Sequence, residues 1–437
     1  MNTYPSYKDS GVEWIGDIPS DWDIVRMCYV FKTKSIKNTH NETNLSVYRD
    51  YGVIPTNSRD DNHNVISEDI SNYKLVDIGD FVMNKMKCWM GSLGLSDYRG
   101  IVSPSYTVME PLIENEHKYI HYLLRSKLYI PQYKRLSYGV RIGQWDLRFE
   151  DFRELPCLIP PLHEQQQISD YLDYKTSKID TLIEKTQQKI ELLKEQRTSL
   201  INTTVTKGLN SDVEMTDSGI EWIGEIPSGW DVKKLKHISK VFGRIGFRGY
   251  TTDDIVDKTK GVVTISPSNI KNDVFNLNSV TYLSFEKYYE SPEIMIFTDD
   301  IIIVKTGSTI GKTTIIPDKT PKMTINPQLI VLKNLKILPK FLYYQTVCKF
   351  IKESFKVEQT GSTTPTIAQE KINNFPILKP PSQEQQQIVD YLDNETTKID
   401  KLIDTETKRI NLLKEYRQSL VSDIVTGKVD VRDEVLV

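Results

Sequence analysis

The sequence predicts an α+β protein: two mixed α+β domains separated by two long helices packed as an antiparallel coiled coil, the whole pseudo-two-fold symmetric. Three observations carry this. The chain is written twice, since SGVEWIGDIPSDW (Ser10–Trp22) returns as SGIEWIGEIPSGW (Ser218–Trp230), and PPLHEQQQISDYLDYKTSKID from Pro160 returns as PPSQEQQQIVDYLDNETTKID from Pro380. Each second block runs on without Gly or Pro into a heptad-spaced apolar stripe. The stretches between the blocks instead hold short runs rich in Val, Ile, Tyr and Thr, separated by turn signals. Repeats of this length are settled first, because they fix the architecture.

The expected order is a first α+β domain (residues 1–159), a first helical spacer (160–208), a second α+β domain (209–379), a second helical spacer (380–427) and a short tail (428–437). The first repeated block is offset by 208 residues (Trp14 to Trp222) and the second by 220 (Gln165 to Gln385), so the intervening region is 12 residues longer in copy two. Between the blocks little sequence is shared. A repeated framework with unlike inserts suits two modules doing one job on different targets; neutral drift after an old duplication is the alternative.

In the inserts, Gly261–Ile265, Glu293–Phe297 and Ile301–Thr306 read as strands. His117–Tyr129 and Pro339–Phe355 read as helices in corresponding positions. The long helices start after Pro-Pro pairs, which a helix tolerates only at its beginning. Ser382 and Gln385 have capping-box spacing. Gly208 and Gly427 stand where a helix ends. Each helix then has roughly 40 residues and a length of about 60 Å, which calls for a partner.

The seam reads Ile179, Ile183, Thr186, Ile190, Leu193, Arg197, Leu200 in copy one and Ile399, Ile403, Glu406, Ile410, Leu413, Arg417, Leu420 in copy two. The steps alternate three and four, as in a heptad a/d seam. Setting Arg197 opposite Glu406 in an antiparallel pair also places Ile190 opposite Leu413, Leu193 opposite Ile410, Ile183 opposite Leu420 and Leu200 opposite Ile403, with Arg417 facing Thr186. That register is the expectation.

Composition is that of an ordinary globular chain, with 38% hydrophobic and 26% charged residues over 437 positions. The formal net charge of -3 gives no global positive field, so a nucleic-acid partner would need local basic patches. Cys28, Cys88, Cys157 and Cys348 form no CxxC pair, which argues against a zinc site or disulfide framework. The N-terminal MNTYPSYKDSG has no apolar stretch, and no run approaches eighteen apolar residues. A cytoplasmic protein with reduced thiols, away from membranes, is expected.

No convincing catalytic constellation emerges. GSTIGKTT (Gly307–Thr314) is one residue short of the phosphate-cradling loop and reads as a tight hairpin presenting Lys305, Ser308, Thr309 and Lys312. His117 and His121 are spaced to chelate a metal on a helix but lack a third ligand, so no metal site is expected. Neither Pro-Pro pair follows Asn or Asp, so the loop with which amino-methyltransferases grip an extruded base is absent. What remains is binding surface. Lys118, Arg125, Lys127, Lys134, Arg135, Arg141 and Arg148 accompany Tyr133, Tyr138 and Trp145 against one acid, Asp146. Within that stretch, Tyr138–Phe149 combines glycines with Arg141 and Gln144, side chains suited to guanine and adenine edges. Val357–Gln369, with Thr360, Ser362, Thr363 and Thr364, lies at the corresponding place in copy two. Lys85, Lys87 and Trp89 form another candidate patch. A solvated basic face is the plain alternative for most of these residues singly.

Taken together, the two EWIG blocks, Met83–Val108, GVRIGQWDLRFEDF, DDIIIVKTGSTIGKTTIIP, TGSTTPTIAQEKINNF and the two PPxxEQQQI helix starts resemble the specificity (S) subunit of type I restriction–modification systems, over nearly the whole chain. The resemblance implies two target-recognition domains, each reading half of a bipartite site on double-stranded DNA. It implies spacer helices that set the gap and dock two methyltransferase (M) subunits, with motor–nuclease (R) subunits joining for restriction and phage defence. It implies no catalysis and no cofactor on this chain: S-adenosylmethionine for adenine-N6 DNA methylation, and ATP and Mg, would belong to the partners. An interaction scaffold that reads no DNA and a self-contained enzyme are the readings to be separated from it.

Overall fold

The computed structural model describes residues 2–37, 42–49, 51–58, 69–139, 145–244, 246–361 and 364–434. The chain forms two compact units that cut across the long helices: residues 1–188 with 406–437, and residues 189–405. Each unit is a lobe joined to half of each long helix.

The first unit is organised by a sheet of β1 (Phe31–Lys34), β2 (Phe81–Asn84), β3 (Leu93–Leu95) and β4 (Tyr106–Pro111), in the order β1-β4-β2-β3. It is antiparallel throughout, with Val108 opposite Lys34 on one side and Val82 on the other. Two helices follow, α1 (His117–Leu124) and α2 (Ile130–Leu136). The second unit repeats the plan with β5 (Lys240–Gly243), β6 (Ile301–Val304), β7 (Thr313–Ile315) and β8 (Leu329–Lys333), in the order β5-β8-β6-β7. Its helices are α4 (Pro339–Val347) and α5 (Lys349–Glu358). Between the two lobes in the chain runs α3 (Leu162–Lys207), and α6 (Ser382–Val425) closes the series. The inserts thus share topology without sharing sequence, because apolar alternation sets a sheet and many sequences supply it.

The second lobe adds a five-stranded sheet in which Gly261–Ile265 pairs antiparallel with Thr281–Ser284 and parallel with Met323–Ile325. The run Glu293–Phe297 yields only a two-residue strand, Met295–Ile296, because Pro292 opens a 3₁₀ turn that consumes Glu293 and Ile294. His117–Tyr129 is likewise not one helix: it stops after Leu124, and a new one starts before Pro131, where proline is tolerated. Pro339–Phe355 is broken at Cys348, which is extended.

The long helices end where the glycines stand. Gly427 has φ +72, and a Cβ there would lie 2.3 Å from Cδ of Pro19. Gly208 has φ +74 and lies against Glu384 and Trp230. The capping box at Ser382 and Gln385 does not form: Gln385 Oε1 accepts from the Leu338 N–H (2.9 Å) and its Nε2 donates to Pro380 O (2.8 Å). Gln165 does the same with Glu116 N–H and Pro160 O (2.9 and 2.8 Å). The repeated glutamine therefore ties a lobe to its helix rather than capping it.

Within each unit the helix halves run antiparallel, and the seam assignment agrees with burial. Ile179, Thr186, Ile190, Ile399, Glu406, Ile410 and Leu420 are buried, and Ile183, Leu193, Leu200, Ile403 and Leu413 half-buried, between exposed neighbours. The register differs from the expected one. Arg197 does not meet Glu406; it forks onto Asp400, Nε to Oδ1 at 2.8 Å and Nη2 to Oδ2 at 3.3 Å. Arg417 does not face Thr186; it forks onto Asp180 at 2.9 and 3.1 Å. In both units the seam arginine thus pairs with an aspartate of the facing helix half rather than with the residue expected. The physical reason is that this pairing satisfies both arginines with a bidentate carboxylate, whereas the expected one satisfied one.

In the first unit the core joins Trp22, Tyr119, Tyr129 and Phe152 of the lobe to Ile168, Leu172 and Ile179 of α3 and Leu420, Ile424 and Val425 of α6. In the second, Phe341, Phe350, Phe355 and Ile377 join Ile201 and Val205 of α3 and Ile388 and Leu392 of α6.

Candidate nucleic-acid interface

In each lobe two loops meet at one end of the four-stranded sheet. The first is the β2–β3 or β6–β7 connection; the second precedes the strand that leads to Pro-Pro. They are joined by the same backbone bond, Leu147 N–H to Lys85 O at 3.1 Å in the first unit and Ile367 N–H to Lys305 O at 3.0 Å in the second. The second loop closes on itself in both units, through a bridge between Tyr138 and Asp146 and one between Thr360 and Thr366. Residues 62 apart in the chain are thereby brought together in both units.

The decoration differs. In the first unit Trp89 meets Trp145 at a centroid distance of 5.1 Å, and Lys134 Nζ lies 5.9 Å from the Trp145 ring. Lys85 and Trp89 are half-buried, and Lys87, Tyr138 and Arg148 exposed. The Tyr138 hydroxyl donates to Asp151 (3.2 Å). Arg141 and Gln144 lie outside the described residues. Beside the tryptophans a cavity of about 600 Å³ is lined by Arg49, Trp89, Arg125, Lys127, Lys134 and Arg417, all of this unit. Arg125 is committed to structure, donating to Leu93 O (2.7 Å) and to Arg49 O.

In the second unit GSTIGKTT is a hairpin turn between β6 and β7, as the loop length implied; no helix follows to supply an anion site. Its Gly307 N–H donates to Pro365 O (2.8 Å), and Thr306 Oγ1 lies 2.8 Å from Thr366 Oγ1. Ser308 and Thr364 are exposed, Lys305, Thr309 and Lys312 half-buried, and Thr360 exposed at the loop's base. Ser362 and Thr363 lie outside the described residues. This surface is therefore hydroxyl-rich with two lysines, where the first is aromatic and basic.

Two contributors escaped the sequence reading. Gln328 is exposed beside the hairpin, its carbonyl accepting from the Lys305 N–H (2.9 Å) and its side-chain oxygen from Asn326 (3.2 Å). Arg244 is buried and pins the loop after β5, donating to Ile325 O (3.1 Å), Thr324 Oγ1 (3.1 Å) and Arg248 O (3.3 Å), with its guanidinium 5.3 Å from the Tyr250 ring. Burial lowers its pKa. The run RIGFRGY carries the same basic, glycine and aromatic mixture as Tyr138–Phe149 and could have been found by it.

His121 is structural. His121 Nδ1 accepts from the Leu95 N–H (3.1 Å), which requires a lone pair there, and burial pushes its pKa down to about 3. Among the described residues no group of three or more His, Cys, Asp or Glu could hold a metal ion, and no helix is long and apolar enough to cross a membrane. Cys28, Cys88, Cys157 and Cys348 are unpaired thiols.

Comparison with known proteins places this architecture. The chain is 24% identical over 287 residues to the type I restriction enzyme MjaVIII specificity subunit of Methanocaldococcus jannaschii, 64% of either chain. It is 22% identical over 439 residues to the putative MjaX specificity subunit of the same organism, 96% of each. A solved chain from a structural study of complex assembly and conformational transition in a type I R-M system shares the fold at a TM-score of 0.65 and 16% identity, covering 94% of this chain and 99% of that one. Residues 19–192 and 227–415 each match the model of the type I restriction modification DNA specificity domain, so the chain belongs to that family and carries its domain twice.

Proposed function

We propose that this chain is the non-catalytic DNA-reading subunit of a cytoplasmic type I restriction–modification assembly, and that each lobe reads one half of a bipartite site. The observation that carries the reading is the repeated loop pair, with one backbone bond holding unlike side chains in the two lobes. A common scaffold presents different functional groups, which is what two half-sites of different sequence require. Trp89, Trp145 and the lysines of the first lobe and the hydroxyls, Gln328 and lysines of the second are the candidate contacts. Phosphate contacts would position the lobes and base-edge contacts specify the sequence.

Partner docking belongs to the same reading. Along the middle of the helices leucines are exposed at matching places, Leu182 and Leu412 in the first unit and Leu192 and Leu402 in the second. These are equivalent positions of the repeat, which supports two copies of one partner, the methyltransferase subunits. S-adenosylmethionine would bind to those subunits, and ATP and Mg to motor–nuclease subunits; the adenine-N6 chemistry would be theirs.

The test is binding of the assembled complex to duplexes in which one half-site at a time is scrambled. Arg141→Ala or Gln144→Ala is expected to weaken reading of one half-site and spare the other. Lys305→Ala is expected to weaken all sequences alike and make the salt slope shallower by about 0.9. Binding that ignores salt would rule DNA out as the ligand.

A further inference from the structure

We propose that Asp173 and Asp393 are positioning residues that fix each lobe on its helix and so set the length of unread DNA between the half-sites; this rests on the DNA-reading function proposed above. In the first unit one carboxylate of α3 takes two bonds from α1, one turn apart: Lys118 Nζ at 2.6 Å and the Tyr122 hydroxyl at 2.7 Å. Tyr122 also lies 3.3 Å from Thr176 Oγ1, and Thr176 is itself held by Leu172 O (2.6 Å). In the second unit Asp393 of α6 takes Lys340 Nζ at 2.5 Å and the Tyr344 hydroxyl at 2.8 Å from α4, with Thr396 at 3.4 Å and bonded to Leu392 O (2.6 Å).

Lys118, Tyr122, Lys340 and Tyr344 lie in the inserts, where the two copies have otherwise diverged, yet the Lys-x-x-x-Tyr spacing is the same in both. The surrounding helices differ: Tyr119 bonds Leu158 O in the first unit, while Gln345 bonds Leu378 O in the second. What the lobes keep in common is the grip on the helix.

Both ion pairs are partly exposed, at 55% and 38% for Lys118 and Asp173, and such pairs add little to stability. Two bonds from one oxygen pair to residues one turn apart do constrain direction, fixing both tilt and rotation of α1 on α3. Direction is what a spacer measurement needs. One base pair more or fewer shifts a half-site by about 3.4 Å and turns it by about 35°. Lobes that swing on their helices would accept the wrong spacing; clamped lobes reject it.

The experiment offers the complex assembled with its methyltransferase partner a pool of duplexes carrying both half-sites, with spacers from two base pairs shorter to two longer, and sequences what is bound. The wild type is expected to select one spacer length. Tyr122→Phe, which keeps the ring and removes only the hydroxyl, and Asp173→Asn are expected to raise recovery at spacers one base pair off by about tenfold relative to the native length, the scale set by losing one charge-assisted hydrogen bond. Base preference within each half-site should not move, Asp173→Glu should restore part of the discrimination, and Asp173→Asn with Asp393→Asn should broaden it further. An unchanged spacer profile, or an equal loss at every spacing, would reduce Asp173 to a purely structural residue and overturn the proposal. A wild-type complex that selects no two-part site at all would overturn the DNA-reading function itself, and this proposal with it.

Discussion

Glu164 shows how much one repeated letter can hold. It is buried and accepts from the Tyr4 hydroxyl (2.5 Å) and Trp22 Nε1 (3.0 Å); Glu384 accepts from Trp230 Nε1 (3.0 Å) in the other unit. The glutamate of PPxxEQ and the tryptophan of IPSxW are thus partners, and the two repeated blocks of each copy are in contact because a buried carboxylate needs donors. Both letters were legible; their contact across some 140 residues was not, since sequence spacing carries no distance at that range. His121 yields a prediction at the same scale. Its pKa falls from an ordinary 6.5 to about 3 in the fold, so between those values the unfolded chain binds the proton that the folded one refuses. Stability of the first lobe should therefore fall as pH drops below about 6.5, by roughly 1–2 kcal/mol at pH 5. Melting from pH 7.5 to 5 would show it, and His121→Phe should flatten that slope; an identical slope in the variant would assign the acid sensitivity to other groups.

At the scale of elements, the long helices were readable because heptad spacing is a local property, and so were the seam positions. The register was not. Glu406 looked like the partner of Arg197 as the sole acid on the seam, but an arginine reaches sideways, and Asp400 stands one residue beyond Ile399, just off the seam. Choosing between registers required all side-chain partners at once. A double-mutant cycle should give about 0.5–1 kcal/mol of coupling between Arg197 and Asp400, the upper range for partly exposed pairs, and none between Arg197 and Glu406. Coupling to Glu406 instead would restore the register read from sequence. The candidate interface divides similarly: its hydroxyl and aromatic loops, and the run that holds Arg244, were visible from composition, while the Gln328 edge and the contacts that anchor Arg244 depended on strands that neighbour them only in the sheet.

At the scale of the whole molecule, the first unit draws on both ends of the chain. Residues 406–437 supply Leu420, Val421, Ile424, Val425 and Val431 to its core, and Asn2 bridges to Asp430. The lobe synthesised first therefore cannot bury its helix face until the last helix has been made, a contact of high sequence separation. Truncation after Thr405 should leave residues 189–405 protected from hydrogen exchange and strip protection from Ile168, Leu172 and Ile179, with burial lost at about 25 cal/mol per Å². Equal protection of both units in the truncated chain would show that the first unit closes without the C-terminal segment.

The sequence by itself determined the duplication, the long helices with their glycine stops, the mixed lobes and the family, because repeats, heptads and turn residues are local patterns written in order along the chain. Only the tertiary structure decided which residues meet: the helix register, the Glu164 and Glu384 anchors, the paired loops and the grip of Asp173 and Asp393. Those are contacts between segments far apart in the chain, and they are selected by the simultaneous burial and pairing of many groups, which no single stretch encodes.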